Sequence, residues 1–147
     1  MITIDKIKQL RQETGVSIIE CKKALKDAGN DIEKAKEVLR KRGKELAQLK
    51  SQRETGQGIV ESYIHVNKKV GVLLELNCET DFVAKGKDFQ ELAHELCLQV
   101  AALDGEKPLL EQSWIKDESK TVKELIDECI SKLGENITVK RFIKYEI

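Results

Sequence analysis

The side chains able to do chemistry in this 147-residue sequence are few and scattered. Cys21, Cys78, Cys97 and Cys129 stand far apart, with no Cys-x-x-Cys pair, and only His65 and His94 could join them. Structural zinc is usually held by ligands paired at short spacing, so this pattern argues against a zinc site. The phosphate loop Gly-x-x-x-x-Gly-Lys-Ser/Thr, the turn Gly-x-Gly-x-x-Gly, His-Glu-x-x-His and Gly-x-Ser-x-Gly are all missing. With them go the usual sequence grounds for phosphoryl, hydride, zinc-assisted or serine-nucleophile chemistry. His65 alternates with strand residues, His94 sits in an amphipathic pattern, and the carboxylates fall at helical surface spacing, as in a solvated face. Neither covalent catalysis nor a bound metal or cofactor is expected.

One stretch is unusual: Leu76-Asn77-Cys78-Glu79-Thr80-Asp81-Phe82-Val83-Ala84-Lys85. An apolar strand ends here and the chain turns toward a helix. Such a turn ordinarily carries Gly, Asn or Ser, yet this one places Phe82 beside Asp81. From the residues alone, Phe82 reads first as a side chain folded back into the core, and second as a contact point for a partner.

The elements that must position this stretch follow from periodicity. Ile4, Ile7 and Leu10 recur at helical spacing up to Thr14-Gly15, and Ser17-Ile18-Ile19-Glu20 has the form of a capping box opening a second helix. That helix turns Cys21, Ala24, Leu25 and Ala28 inward and stops at Gly29, after which Asn30 or Asp31 caps a third. The third buries Ile32, Ala35, Val38 and Leu39 and reaches toward Leu46 and Leu49, with a bend or early end expected at Gly43. Residues 51–57 are polar and read as a linker, dividing the chain into a module over 1–50 and a second over 58–147.

The second module opens with two alternating segments joined by Asn67-Lys68-Lys69. Val60, Ser62, Ile64 and Val66 share one face of the first, and Val70, Val72, Leu74 and Leu76 one face of the second, so an antiparallel hairpin with one face buried is expected. Asp88 is the expected cap of a helix whose stripe is Phe89, Leu92, Ala93, Leu96, Val100 and Leu103. Residues 104–120, with Gly105, Pro108 and Trp114, read as a looser stretch. A second capping box, Thr121-Val122-Lys123-Glu124, opens a helix packed through Val122, Leu125, Ile126, Cys129 and Leu133 and ended by Gly134. Ile137, Val139, Arg141, Ile143, Tyr145 and Ile147 then alternate as a closing strand. The fold class is α+β: three helices, then a three-stranded antiparallel sheet covered by helices.

Composition agrees with an aliphatic, helix-rich chain: 35% of residues are charged, 4% aromatic, and one is proline. The net charge is zero but unevenly spread, with 14 basic and 8 acidic residues in 1–53 against 12 and 18 in 54–147. A basic half steers toward RNA or an acidic protein without naming either. No aromatic residue lies among those basic residues to stack on bases, which favours protein and leaves direct nucleic-acid binding unexpected. No signal peptide and no apolar run near 18 residues is present, so no membrane role and a cytosolic, reducing location are expected, with the cysteines serving as packing.

Three blocks resemble the elongation factor Ts family. Thr80-Asp81-Phe82-Val83-Ala84 is similar to its signature. Leu10-Arg11-x-x-Thr14-Gly15-x-x-Ile18-Ile19-Glu20-Cys21-Lys22-Lys23-Ala24-Leu25 is similar to its first motif, and Gly134-Glu135-Asn136-Ile137 with Arg141-Phe142 to a third. The resemblance spans nearly the whole chain. It implies a ubiquitin-associated-like three-helix module, a core that grips the GTPase elongation factor Tu, and guanine-nucleotide exchange during translation elongation. It further implies that Thr80, Asp81, Phe82 and Val83 reach the partner's magnesium and phosphate site, with Phe82 as the wedge, while Arg11, Ile18 and Ile19 grip a helix of the partner. Longer members of that family have methionine at the positions of Ile18 and Ile19, and many relatives carry a second core half where this chain has one. An edge strand ending in Ile143, Tyr145 and Ile147 would then be available to a second copy, and a homodimer is expected. Two other readings remain: a helical protein-binding adapter without exchange activity, and an RNA-binding role for the basic half. Both leave Phe82 dispensable.

Overall fold

The computed structural model describes residues 2–103 and 105–147; Met1 and Asp104, the latter opening the looser stretch, lie outside the described residues. Helix α1 spans Ile4–Thr14, α2 Ile18–Asp27 and α3 Ile32–Lys50. Strands β1 (Gln57–Ile64) and β2 (Val70–Cys78) form a hairpin, followed by the one-turn helix α4 (Asp81–Ala84) and by α5 (Lys87–Ala102). A 3-10 turn at Leu109–Glu111, a small hairpin of β3 (Ser113–Trp114) and β4 (Asp117–Thr121), α6 (Val122–Leu133) and β5 (Ile137–Glu146) complete the chain. The main sheet is antiparallel in the order β1-β2-β5. The fold is α+β, with the helical region first.

Local chemistry accounts for most boundaries. Asp31 caps α3 by accepting the Lys34 amide, and Thr121 and Glu124 form the expected reciprocal box at α6. The Ser17 box is only half formed. Ser17 accepts the Glu20 amide, but the Glu20 carboxylate turns to Arg42 of α3 at 2.8 Å, tying the second helix to the third. Helix α5 begins two residues earlier than expected, with Gly86 as N-cap, and Asp88 instead lies in the first turn, 3.4 Å from Lys132. The stretch after residue 104 is also more ordered than expected. Buried Gln99 donates to Gln112 and to the Ser113 carbonyl and accepts the Ile115 amide, which pins the β3–β4 hairpin to α5.

Two apolar cores divide the molecule. Leu10, Cys21, Ala24, Leu25, Ala35 and Leu39 close the three-helix bundle, and the larger core lies between the sheet, α5 and α6, around Leu74, Leu76, Phe89, Leu96 and Ile126. Helix α3 takes part in both, because its C-terminal half places Ala47 in the larger core and its last residue, Lys50, donates to the Gly134 carbonyl at 2.7 Å.

Here the expectation of a break at Gly43 is corrected. Helix α3 runs through it, and Gly43 is buried where α3 lies closely against Ser131 of α6. A Cβ at Gly43 would sit 3.6 Å from the Ser131 Cβ, an ordinary contact. Gly43→Ala is therefore expected to stabilise the fold by about 0.5–1 kcal/mol through helix propensity, read as a higher urea midpoint.

The sheet corrects a second expectation. Val60, Ser62 and Ile64 do not face the core: Val60 is 67% and Ile64 59% exposed, while Ile59 and Tyr63, on the other face of β1, pack against the larger core. Val66 lies beyond the strand and is exposed. In β5 the register shifts between Glu75 and Leu76 of its partner, leaving Lys140 as an extra residue. Ile137 and Val139 thus share a face with buried Cys78 and Leu76, whereas Arg141, Ile143 and Tyr145 pair with Glu75, Leu73 and Gly71 on the open face. The single alternation expected for this strand is split by the bulge.

Cys21, Cys78 and Cys97 are buried, Cys129 is half-buried, and all are free thiols. Burial and the nearby Glu61 charge push the Cys97 thiol up to about 12, and burial pushes Cys129 up to about 11. A raised thiol stays protonated in the folded chain while the unfolded chain ionises. This contribution to stability is complete below the ordinary thiol range and is lost as pH rises from about 8.5 toward those values. Urea midpoints are expected to fall above pH 9, and to fall less steeply in Cys97→Ala.

Candidate partner-binding site at the end of strand β2

Strand β2 and strand β5 are antiparallel and pair Cys78 with Ile137. The residues just past one strand therefore stand opposite the residues just before the other, across some 55 positions of sequence. This juxtaposition builds the site. Glu135 accepts the Glu79 amide at 3.1 Å and the Thr80 amide at 3.0 Å through Oε1, and the Thr80 hydroxyl at 2.7 Å through Oε2. In return the Glu79 carboxylate accepts the Asn136 amide at 2.6 Å, and the Asn136 side chain donates to the Arg53 carbonyl. Burial, and secondarily the Glu135 charge, push the Cys78 thiol above its usual range, and its S–H points to the Thr80 carbonyl at 3.1 Å.

Thr80 is also the N-cap of α4, its hydroxyl oxygen accepting the Val83 amide. At the far end of that turn Ala84 is buried and Val83 packs against the larger core. Between these anchors stand Asp81 and Phe82. Phe82 is 89% exposed, which corrects the first reading of this residue as a core side chain. A one-turn helix with Val83 and Ala84 directed inward necessarily turns the preceding residue outward. Asp81 is exposed as well and pairs with Lys85 at 2.8 Å; that hydrogen bond and charge hold the Lys85 ammonium above its usual range.

The N-terminal candidates lie at the corner between α1 and α2. Arg11 is in the last turn of α1 and is exposed, and Ile18 and Ile19 open α2 with 52% and 67% of their surface in solvent. Ile4, at the opposite end of α1, is 71% exposed. These residues rest on the small helical core, whereas Thr80 to Val83 rest on the larger one. Glu79, Glu135 and Asn136 are the site residues that sequence reasoning left without a role. The sequence signal for Glu135 and Asn136 was the third block, Gly134-Glu135-Asn136-Ile137, and for Glu79 its place just before Thr80 in the unusual stretch. Among the described residues no three His, Cys, Asp or Glu side chains are grouped to hold a metal ion, and no helix is long and apolar enough to cross a membrane.

Known proteins match along the whole chain. The family model described as "Elongation factor TS" covers residues 79–147. An elongation factor Ts of Thermosipho melanesiensis is 42% identical over 194 aligned positions that cover 100% of this chain and 99% of the relative. One from Coprothermobacter proteolyticus is 39% identical, covering 99% and 98%, and one from Thermodesulfovibrio yellowstonii 38%, covering 99% and 96%. Because 194 aligned positions accommodate only 147 residues here, that relative carries internal sequence which this chain lacks. With identity of this extent across nearly the whole of both chains, the chain belongs to the elongation factor Ts family.

Proposed function

We propose that this chain is the guanine-nucleotide exchange factor for elongation factor Tu, binding that GTPase and promoting GDP release by disturbing its magnesium and phosphate site. Family membership gives the role in translation elongation. The observation that favours exchange is the 89% exposure of Phe82 on a turn anchored at both ends. A rigid aromatic side chain has little entropy to lose on entering a pocket, which suits a wedge. Asp81, its carboxylate already paired with Lys85, would exchange that partner for groups of the GTPase. The mechanism is thermodynamic coupling without a covalent step: a factor that binds the nucleotide-free partner more tightly weakens GDP by the same ratio that GDP weakens the factor. The ion matters because it neutralises phosphate charge, so a small displacement releases much of the nucleotide's binding energy.

In this reading residues 1–50 make one contact, through Arg11, Ile18 and Ile19, residues 58–147 make the other, through Thr80, Asp81, Phe82 and Val83, and 51–57 connect them. A homodimer belongs to the same proposal. Val60, Ile64, Leu73, Ile143 and Tyr145 line the open face of the sheet, each at least 45% exposed, and a second copy would cover them. A monomer by sedimentation at micromolar concentration would rule that out.

The test follows fluorescent GDP leaving elongation factor Tu as the chain is added. Acceleration that saturates with concentration is expected, and no acceleration would sink the reading. Replacing Ile18 and Ile19 together by serine should raise the half-saturating concentration about tenfold while leaving the saturated rate nearly unchanged, as loss of uniform binding does. A lowered saturated rate with unchanged affinity would remove the N-terminal corner from the anchoring role.

A further inference from the structure

We infer that Glu135 is the positioning residue of the Phe82 turn, setting the direction in which Phe82 is presented by clamping Thr80; this deepens the exchange reading and rests on it. Helix α4 has four residues, too few to hold a helical turn by its own hydrogen bonds, since nucleation fixes several dihedrals for a single bond. Its geometry must come from outside. One end is packed, through Val83 and Ala84, and at the other the Glu135 carboxylate holds Thr80 by both its amide and its hydroxyl.

Glu135 uses both of its oxygens on three donors: two consecutive amides and the hydroxyl of the helix cap. Hydrogen bonds to an ionised acceptor are shorter and stronger than neutral ones, and two adjacent amides fix the peptide plane rather than one point on it. Thr80 passes this orientation on directly, because its hydroxyl hydrogen goes to Glu135 while its oxygen accepts the Val83 amide. Asp81 and Phe82 lie inside that loop of bonds. The Glu79 carboxylate, accepting the Asn136 amide, locks the same crossing from the opposite side, so β5 is held to the turn in both directions. Glu135 makes its contacts within the chain and acts through Thr80 on Phe82.

The experiment combines GDP release with amide hydrogen exchange. Glu135→Ala should cut the saturated release rate about tenfold and raise the exchange rates of the Glu79 and Thr80 amides in the free chain. Glu135→Gln, which keeps one oxygen to accept both amides, should recover most of each. Thr80→Val, which removes the hydroxyl joining Glu135 to the Val83 amide, should lower the saturated rate and loosen the Glu79 and Thr80 amides as Glu135→Ala does, and Thr80→Ser should recover part of both losses. Glu135→Ala combined with Phe82→Ala should be no slower than Phe82→Ala alone, because both changes remove the same presentation. If the two losses multiply, Glu135 acts on the fold at large and the inference is wrong. If Phe82→Ala slows release but Glu135→Ala matches wild type, positioning fails while the exchange reading stands. If wild type itself gives no acceleration, the exchange reading and this role fall together.

Discussion

Phe82→Ala is expected to reduce the saturated rate of GDP release on the order of 30-fold or more while leaving the urea midpoint unchanged. The two halves of that expectation come from the same fact. With 89% of its surface in solvent, Phe82 contributes little to burial, so its removal should alter stability by no more than about 0.5 kcal/mol. An aromatic anchor that enters a partner's pocket loses far more when truncated, about 2 kcal/mol or above, and 1.4 kcal/mol is already tenfold. Alanine also favours the helical turn, so α4 should persist. Stability and release must be measured on the same preparation. A variant that releases GDP as fast as wild type would refute the wedge, and one that unfolds more easily by over 1 kcal/mol would show that Phe82 rests on the core.

Gly58→Ala is expected to give the largest loss of stability among the single-methyl substitutions, on the order of 3 kcal/mol. Gly58 pairs with Asn77 where β1 meets the end of β2, and its φ of 157° lies in a region that side chains rarely adopt. A Cβ there would stand 2.2 Å from the Leu76 carbonyl oxygen and 2.8 Å from the Asn77 Cα. Both atoms are backbone, so relief requires the strands to part. Asn77 is buried and leads directly into Cys78 and the Phe82 turn, so release of GDP should suffer as well. Gly56→Ala, two residues away with nothing within 4 Å of its Cβ position, serves as the control and should fall within about 0.5 kcal/mol of wild type. Equal midpoints for the two variants would mean that β1 relaxes freely against β2.

The helices were legible because their signals are local. Thr121 and Glu124 cap α6 as the spacing of their side chains requires, Asp31 caps α3, and the 3.6-residue stripe is buried in α5 from Phe89 to Val100, while its last expected member, Leu103, lies past the helix and is exposed. Where local signals competed, they failed. A glycine in mid-helix reads as a break, but α3 runs through Gly43, because the packing of the helix into both cores outweighs a local propensity penalty of about 1 kcal/mol. Glu20 could close its box or reach Arg42, and the tertiary partner took it.

Sequence by itself determined the three N-terminal helices, α5, α6 and the three strands of the main sheet, the α+β class, the absence of known catalytic motifs and, through its three blocks, the family, while the β3–β4 hairpin went unread. It located the turn at Phe82 without telling which way the ring points. Tertiary structure decided that, together with the covered face of β1, the bulge at Lys140 and the meeting of Glu135 with Thr80. The reason is that alternation marks two faces of a strand without saying which is covered. In β1 both faces carry apolar residues, Ile59 and Tyr63 against Val60 and Ile64, and the packing of α5 chooses between them. Likewise Glu135 and Thr80 are 55 residues apart, and only the antiparallel register of β2 with β5 makes them neighbours.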